Sequence, residues 1–171
     1  MFGEQPAIVR ESKRSNKTMR KQLQKLIVFK WCLSIFAFFA KRKWSGIVKW
    51  LTDFSAWLNL TLNKPKQANT PAELAKTWQD LMPPDGRDLF RIREITNDTA
   101  YVEIHLHCPL HNTGNVKACC NLMNYDRKLM DKVGGNLVVL SSQSNNEKGY
   151  CSLAIRDKRL PSDDLVSACE P

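Results

Sequence analysis

Residues 99–109 read Thr99-Ala100-Tyr101-Val102-Glu103-Ile104-His105-Leu106-His107-Cys108-Pro109, and their alternation decides the fold. Successive side chains of a strand point to opposite faces. Ala100, Val102, Ile104, Leu106 and Cys108 therefore share one face, while Tyr101, Glu103, His105 and His107 share the other. Pro109 lacks a ladder donor and ends the pairing. Upstream, residues 87–96 predict a partner strand, with Asn97-Asp98 as the tight turn between the two. Downstream, Gly114-Asn115 opens a helix expected to run unbroken to Val133, where Gly134-Gly135 stops it. Residues 136–144 and 150–156 predict two further strands, the last with Cys151, Leu153 and Ile155 on one side. Helices followed by β-β-α-β-β predict an α+β fold, its antiparallel sheet covered by helices on one face.

Before this core, residues 63–86 read as a linker and a short helix. Thr70-Pro71-Ala72-Glu73 supplies the helix cap, a proline in the first turn and an acid, and Pro83-Pro84-Asp85-Gly86 is turn chemistry. Residues 45–62 predict an amphipathic helix through Ile47, Val48, Leu51, Phe54, Leu58 and Leu62. Residues 26–40 are apolar on nearly all sides, interrupted by Lys30 and Ser34. A spanning helix needs about 20 apolar residues. Three placements stay open: a helix in the core, a helix at a membrane surface, where Lys41, Arg42, Lys43, Trp44, Lys49 and Trp50 give the basic and tryptophan signature, or a membrane span. Residues 1–18 read as a disordered basic tail. Residues 19–157 form one domain, and 158–171 a polar C-terminal tail in which Cys169 is incidental.

The formal net charge of +9 is not spread evenly. Residues 1–50 hold twelve Lys/Arg against two acids, and residues 51–171 hold fourteen against fifteen. The folded part is thus electrostatically ordinary and lacks a basic surface interleaved with stacking aromatics, which argues against a nucleic-acid partner. Six cysteines without a Cys-x-x-Cys pair read as reduced cytoplasmic thiols. The expected setting is cytoplasmic, or peripheral at the inner membrane face through residues 19–62.

At 100° per residue, Val116, Cys119, Leu122, Met123, Leu129, Met130 and Val133 cover one half of the helix, with Asp126 near the centre of that half. A carboxylate aimed into a core needs a partner or a role. Its structural alternative is a bond to backbone amides or an ion pair with an arginine such as Arg91, Arg93 or Arg156. Cys119 lies seven residues earlier, on almost the same line, and Cys108 and Cys151 occupy the covered faces of their strands. Cys108, Cys119, Asp126 and Cys151 are therefore expected to converge in one interior pocket. Buried cysteines as simple packing are the competing reading. Glu103, His105 and His107 share the opposite face in a spacing that suits a metal. Half-exposed histidines outside a sheet are common, however, and no metal or cofactor is assigned.

Cys108-Pro109-Leu110, Asn124-Tyr125-Asp126 and Gly149-Tyr150-Cys151 together resemble the L-2-amino-thiazoline-4-carboxylate hydrolase family, related in architecture to four-vinyl-reductase-like domains. The resemblance covers residues 20–157. Met123 stands where that pattern has a cysteine, and Cys119 lies one turn earlier. The resemblance implies hydrolysis of a C–N bond in a small heterocyclic or amidine-type substrate. Asp126 would be the acid/base and Cys108, Cys151 or Cys119 the nucleophile or positioning thiol. The substrate carboxylate would meet the amides of Gly114 and Asn115, or Arg156. The alternative is a non-enzymatic small-molecule-binding or sensor-like domain attached to a membrane surface.

Overall fold

A computed structural model describes residues 27–42 and 44–169. The expected tail at 1–18, and residues 19–26 of the segment expected to meet a membrane surface, lie outside the described residues. A four-stranded antiparallel sheet has the order β1-β2-β4-β3, with β1 Phe90–Ile95, β2 Thr99–Ile104, β3 Gly135–Ser141 and β4 Cys151–Asp157. Helix α1 spans 27–41, α2 Ser45–Asn63, α3 Pro71–Leu81, α4 Val116–Leu122 and α5 Asn124–Val133. The fold is α+β.

β1 begins three residues later than expected, because Pro84–Leu89 forms a 3₁₀ helix. Pro83 and Pro84 have fixed φ and no amide hydrogen, so pairing starts only at Phe90. β2 also ends early, at Ile104. That residue faces Phe90 of β1 and Cys151 of β4, the first residues of both neighbours, so no strand remains to pair 105–108. A buried side chain takes over instead. The Gln143 amide donates to the carbonyls of Ile104 (3.2 Å) and Leu106 (2.9 Å), and its oxygen accepts from the Cys108 N–H (3.3 Å). An amide side chain thus supplies the donor and acceptor a strand neighbour would have provided.

One face of the sheet carries Ala100, Val102, Ile104, Cys151, Leu153, Ile155, Leu137 and Val139, all buried. Helix α3 crosses β1, β2 and β4, while α5 covers β3. Trp78 of α3 is fully buried and meets Phe90 edge-on at 5.8 Å. Thr70 caps α3 by accepting from the Glu73 N–H at 3.2 Å, as its sequence predicts. Gly135 lies so close to α3 that a Cβ there would meet Leu74 Cδ2 at 2.8 Å. Helix α2 packs outside α4 and α5 through Val48, Thr52 and Ala56, a narrow stripe of small residues.

The helix expected to run unbroken to Val133 is two helices. Met123 separates α4 from α5 with φ −64° and ψ −8°. The ladder survives in part, since the Met123 N–H reaches the Cys119 carbonyl and the Arg127 N–H reaches the Met123 carbonyl, each at 3.0 Å. Asn124, just after the break, donates to Thr52 Oγ1 (2.9 Å) and Asp53 Oδ1 (2.8 Å) and ties the start of α5 to α2.

The C-terminal segment overturns a second expectation, that of reduced thiols with an incidental Cys169. Cys169 forms a disulfide with Cys120 of α4, across a sequence separation of 49. The chain between is strapped along the sheet. The Ala168 N–H donates to Val139 of edge strand β3 at 2.7 Å, and Arg156 grips Asp164 through bonds of 2.6 and 2.8 Å. Closing a loop of this length constrains the unfolded chain by about 4 kcal/mol. Cys169→Ser is expected to lower unfolding stability by about 2–4 kcal/mol in urea titrations. An unchanged midpoint would show that the hydrogen-bonded strap suffices without the bond.

Candidate functional site

Three free thiols gather at the end of the sheet where β4 begins. Cys151 is its first residue and Cys119 projects from α4, both buried; Cys108 lies in the loop after β2, half-buried. Cys119 and Cys151 perturb each other's ionisation, and Ser142 acts on Cys119 as well. Cys151 Sγ also accepts from the Gln143 N–H at 3.4 Å, and Cys108 Sγ from the Leu110 N–H at 3.4 Å.

These contacts separate the thiols electrostatically. The Cys151 thiol, then Ser142 and the nearby Arg127 charge, hold Cys119 below the usual thiol value against burial and the Asp126 charge. Cys151 is pushed up, first by Cys119 and then by burial. Burial raises Cys108, while the positive charge of Lys41 at the end of α1 offsets part of that rise. Cys119 is therefore the thiol that ionises first.

Asp126 is buried in α5, as its place in the apolar stripe requires, but none of the three arginines is its partner. The Trp78 indole N–H donates to Asp126 Oδ1 at 3.0 Å. Burial raises the Asp126 carboxyl to about 6, with the Trp78 bond and the Arg127 charge pulling the other way. Its neighbour Tyr125 accepts from Asn59 Nδ2 at 2.6 Å, and burial pushes that phenol up too. The structure thus brings Cys108, Cys119 and Cys151 together, with Asp126 in electrostatic reach of Cys119 and bonded to the other side of the core.

The residues expected to bind a substrate carboxylate are occupied elsewhere. The Gly114 N–H donates to the Ser144 carbonyl at 2.7 Å, and the Asn115 N–H to Thr113 Oγ1 at 3.4 Å. Asn115 Oδ1 caps the short α4 by accepting from the Ala118 N–H at 3.0 Å. Arg156 sits toward the far end of β4, about 17 Å from Cys151 along the strand, bound to Thr99, Pro161 and Asp164. Near that far end an open cavity of about 200 Å³ is lined by Asn69, Pro71, Asn97, Asp98, Asp157, Arg159 and Leu160. On the outer face, Glu103 is shared between Arg93 (2.9 Å) and His105 (2.8 Å), and His105 stacks on Tyr150. His107 follows the end of β2, its ring 6.0 Å from that of His111. Among the described residues no group of three or more His, Cys, Asp or Glu is placed to hold a metal ion.

Ser142 and Gln143 are site residues that pattern reading missed. The strand expected over 136–144 ends at Ser141, so both residues lie just beyond β3, yet they are essentially unexposed.

The outer helices form a second candidate surface. Among the described residues, twelve of the fifteen exposed large hydrophobics lie between Ile27 and Leu62. Helix α1 turns Ala37 and Ala40 inward with Phe29, Leu33 and Phe36 half-buried, but leaves Trp31, Ile35 and Phe38 in the open. On α2, Trp50, Phe54 and Trp57 stack in series at 5.7 and 5.9 Å, away from the buried stripe. Arg42 lies 4.4 Å over the Phe38 ring. No helix among the described residues is long and apolar enough to cross a membrane.

Comparison with protein-family models, curated proteins and solved structures returns no match.

The Asp126 carboxyl binds more protons when folded than when unfolded between its ordinary value near 4 and about 6. Stability must therefore fall as pH rises through that window. Asp126→Asn keeps an oxygen for Trp78 and removes the charge. It is expected to stabilise the fold at pH 8 by up to about 3 kcal/mol, and by almost nothing near pH 4. Thermal unfolding at the two pH values checks this; destabilisation at pH 8 would mean that the ionised carboxylate has a partner worth more than its burial.

Proposed function

We propose that this chain is a peripheral domain that lies on an anionic membrane surface and presents a buried thiol site to small molecules. The observation that carries this reading is the exposed aromatic face of α1 and α2. Isolated exposed hydrophobics are ordinary, but a concentrated apolar patch marks an interaction surface. This patch is rich in tryptophan, the residue that favours the membrane interface. It is bordered by Lys41, Arg42 and Lys49, and the sequence of residues 1–50 carries a net +10. Each basic residue near an anionic bilayer adds about 1 kcal/mol of attraction. Phosphate headgroups match the charges and the acyl boundary matches the rings.

Full-length protein is expected to co-sediment with phosphatidylserine-containing vesicles, weakly with pure phosphatidylcholine, and less at 0.5 M salt. The double change Trp50→Ala/Trp57→Ala should weaken binding at least about tenfold. If the protein stays in the supernatant and instead dimerises through the same tryptophans, a second copy is the occupant and the membrane reading fails.

A second reading, C–N hydrolysis as the family resemblance implies, is favoured by Cys119, a readily ionised thiol with Asp126 nearby. Cys119 would attack an amidine-like carbon, Asp126 would give a proton to the departing nitrogen as the C–N bond breaks, and water would then release the carbon from the sulfur. This reading expects turnover of a 2-amino-thiazoline carboxylate that Cys119→Ser abolishes. Absence of turnover by the vesicle-bound wild type would remove it.

A further inference from the structure

We infer that the Cys120–Cys169 bond is a reducible latch: opening it frees residues 165–169 from the outer edge of β3 and leaves the rest of the domain folded. This goes beyond the proposed function and does not rest on it. The strap from Lys158 to Cys169 is held unequally along its length. Its first half is anchored by the buried Arg156, which donates to the Pro161 carbonyl at 2.6 Å and to both Asp164 carboxylate oxygens at 2.6 and 2.8 Å. Asn136 of β3 adds a bond to Ser162 Oγ at 3.2 Å. Beyond Asp164 the hold is lighter. There the described hydrogen bonds to the rest of the fold run from the Ala168 N–H to the Val139 carbonyl, at 2.7 Å, and from Arg127 Nη2 to Cys169 Sγ, at 3.2 Å. Val166, between the two anchors, is 83 % exposed. One backbone bond and one bond to sulfur do not offset the conformational freedom of five residues. The covalent bond therefore sets the closed state, with the hinge at Asp164.

The surroundings of the bridge suit reduction. Cys120 and Cys169 are both half-buried, unlike the fully buried Cys119 and Cys151, so a reductant can reach the bridge without the core opening. Arg127 of α5 spans the two halves, donating through Nη1 to the Cys120 carbonyl at 2.9 Å and through Nη2 to Cys169 Sγ. A guanidinium beside a sulfur favours its thiolate, and a stabilised reduced form makes a disulfide easier to reduce. The reductant is a dithiol. One of its thiolates attacks a sulfur of the bridge, the S–S bond breaks, and the other cysteine leaves as a thiolate. The second thiol of the reductant then attacks the mixed disulfide at the reductant's own sulfur, closing a disulfide there and releasing the remaining cysteine. The protein gains two electrons and two protons, and the dithiol loses them.

With the latch open, the Val139 carbonyl loses the Ala168 N–H and the end of β3 loses the cover that blunts this edge of the sheet. Helix α4 keeps its place, because the Asn115 cap and the Arg127 bond to the Cys120 carbonyl do not involve the bridge. The change is confined to the end of the strap and the strand edge beneath it.

The test compares amide hydrogen exchange in full-length oxidised protein with that in the same protein after millimolar dithiothreitol in native buffer. Alkylation and peptide mapping should show Cys120 and Cys169 reduced without denaturant. On reduction the Ala168 amide should lose its protection, to within about tenfold of an unstructured amide, while amides of β2 and β4 stay protected by at least about a thousandfold. Cys169→Ser without reductant should reproduce the exchange pattern of the reduced protein. Protection of Ala168 that survives reduction would overturn the inference, because the strap would then hold without the bond. Loss of protection in β2 and β4 along with Ala168 would overturn it too, showing a bond that holds the whole domain. So would a bridge that dithiothreitol opens only in denaturant.

Discussion

The bond from the Trp78 indole to the Asp126 carboxylate is the constraint around which the rest of the molecule is arranged. It joins the two helices that cover the sheet, α3 and α5, inside the apolar layer. A buried carboxylate is costly unless it is bonded. One indole donor orients the group without neutralising it, and the carboxyl is raised accordingly. With Trp78 fixed by Asp126 on one side and Phe90 on the other, α3 has a defined seat across β1, β2 and β4. With α5 fixed by the same bond, α2 can dock on its outer side through Thr52, Ala56 and the bonds from Asn124.

Two polar side chains set the far end of the sheet in the same way. Gln143 stands in for a missing strand beside residues 104–108, and Ser142 turns toward Cys119. The thiol cluster therefore belongs to the architecture that terminates β2 and starts β4. This placement explains why the three thiols differ in acidity although all are shielded. Each has a different donor or charge beside it.

Much of this was legible in the chain. The alternation of 99–104, the Asn97-Asp98 turn, the cap at Thr70 and the stop at Gly134 are local signals, and local physics places them correctly. Asp126 could be placed on the buried side of its helix from periodicity alone. Its partner could not, because indole donors leave no pattern and Trp78 lies 48 positions away. The break at Met123 was hidden for a related reason. No glycine or proline marks it, and the residues around it are ordinary helix formers. The pairing of Cys120 with Cys169 depends on how the tail folds back along β3, a tertiary fact that cysteine spacing does not encode. The aromatic helices were ambiguous in sequence because core and interfacial helices share composition; only exposure distinguishes their two faces.

The disulfide also changes how the domain would bear load. Residues 121–168 lie within a covalent ring, so a pull arriving from beyond Cys169 enters the fold at α4 and bypasses β4 and the edge of β3. The sheet cannot be unzipped strand by strand from that side. The mechanical path instead runs from Cys120 through the short α4, the element that also carries Cys119, so tension on the tail and the arrangement of the thiol pair are carried by the same seven-residue helix.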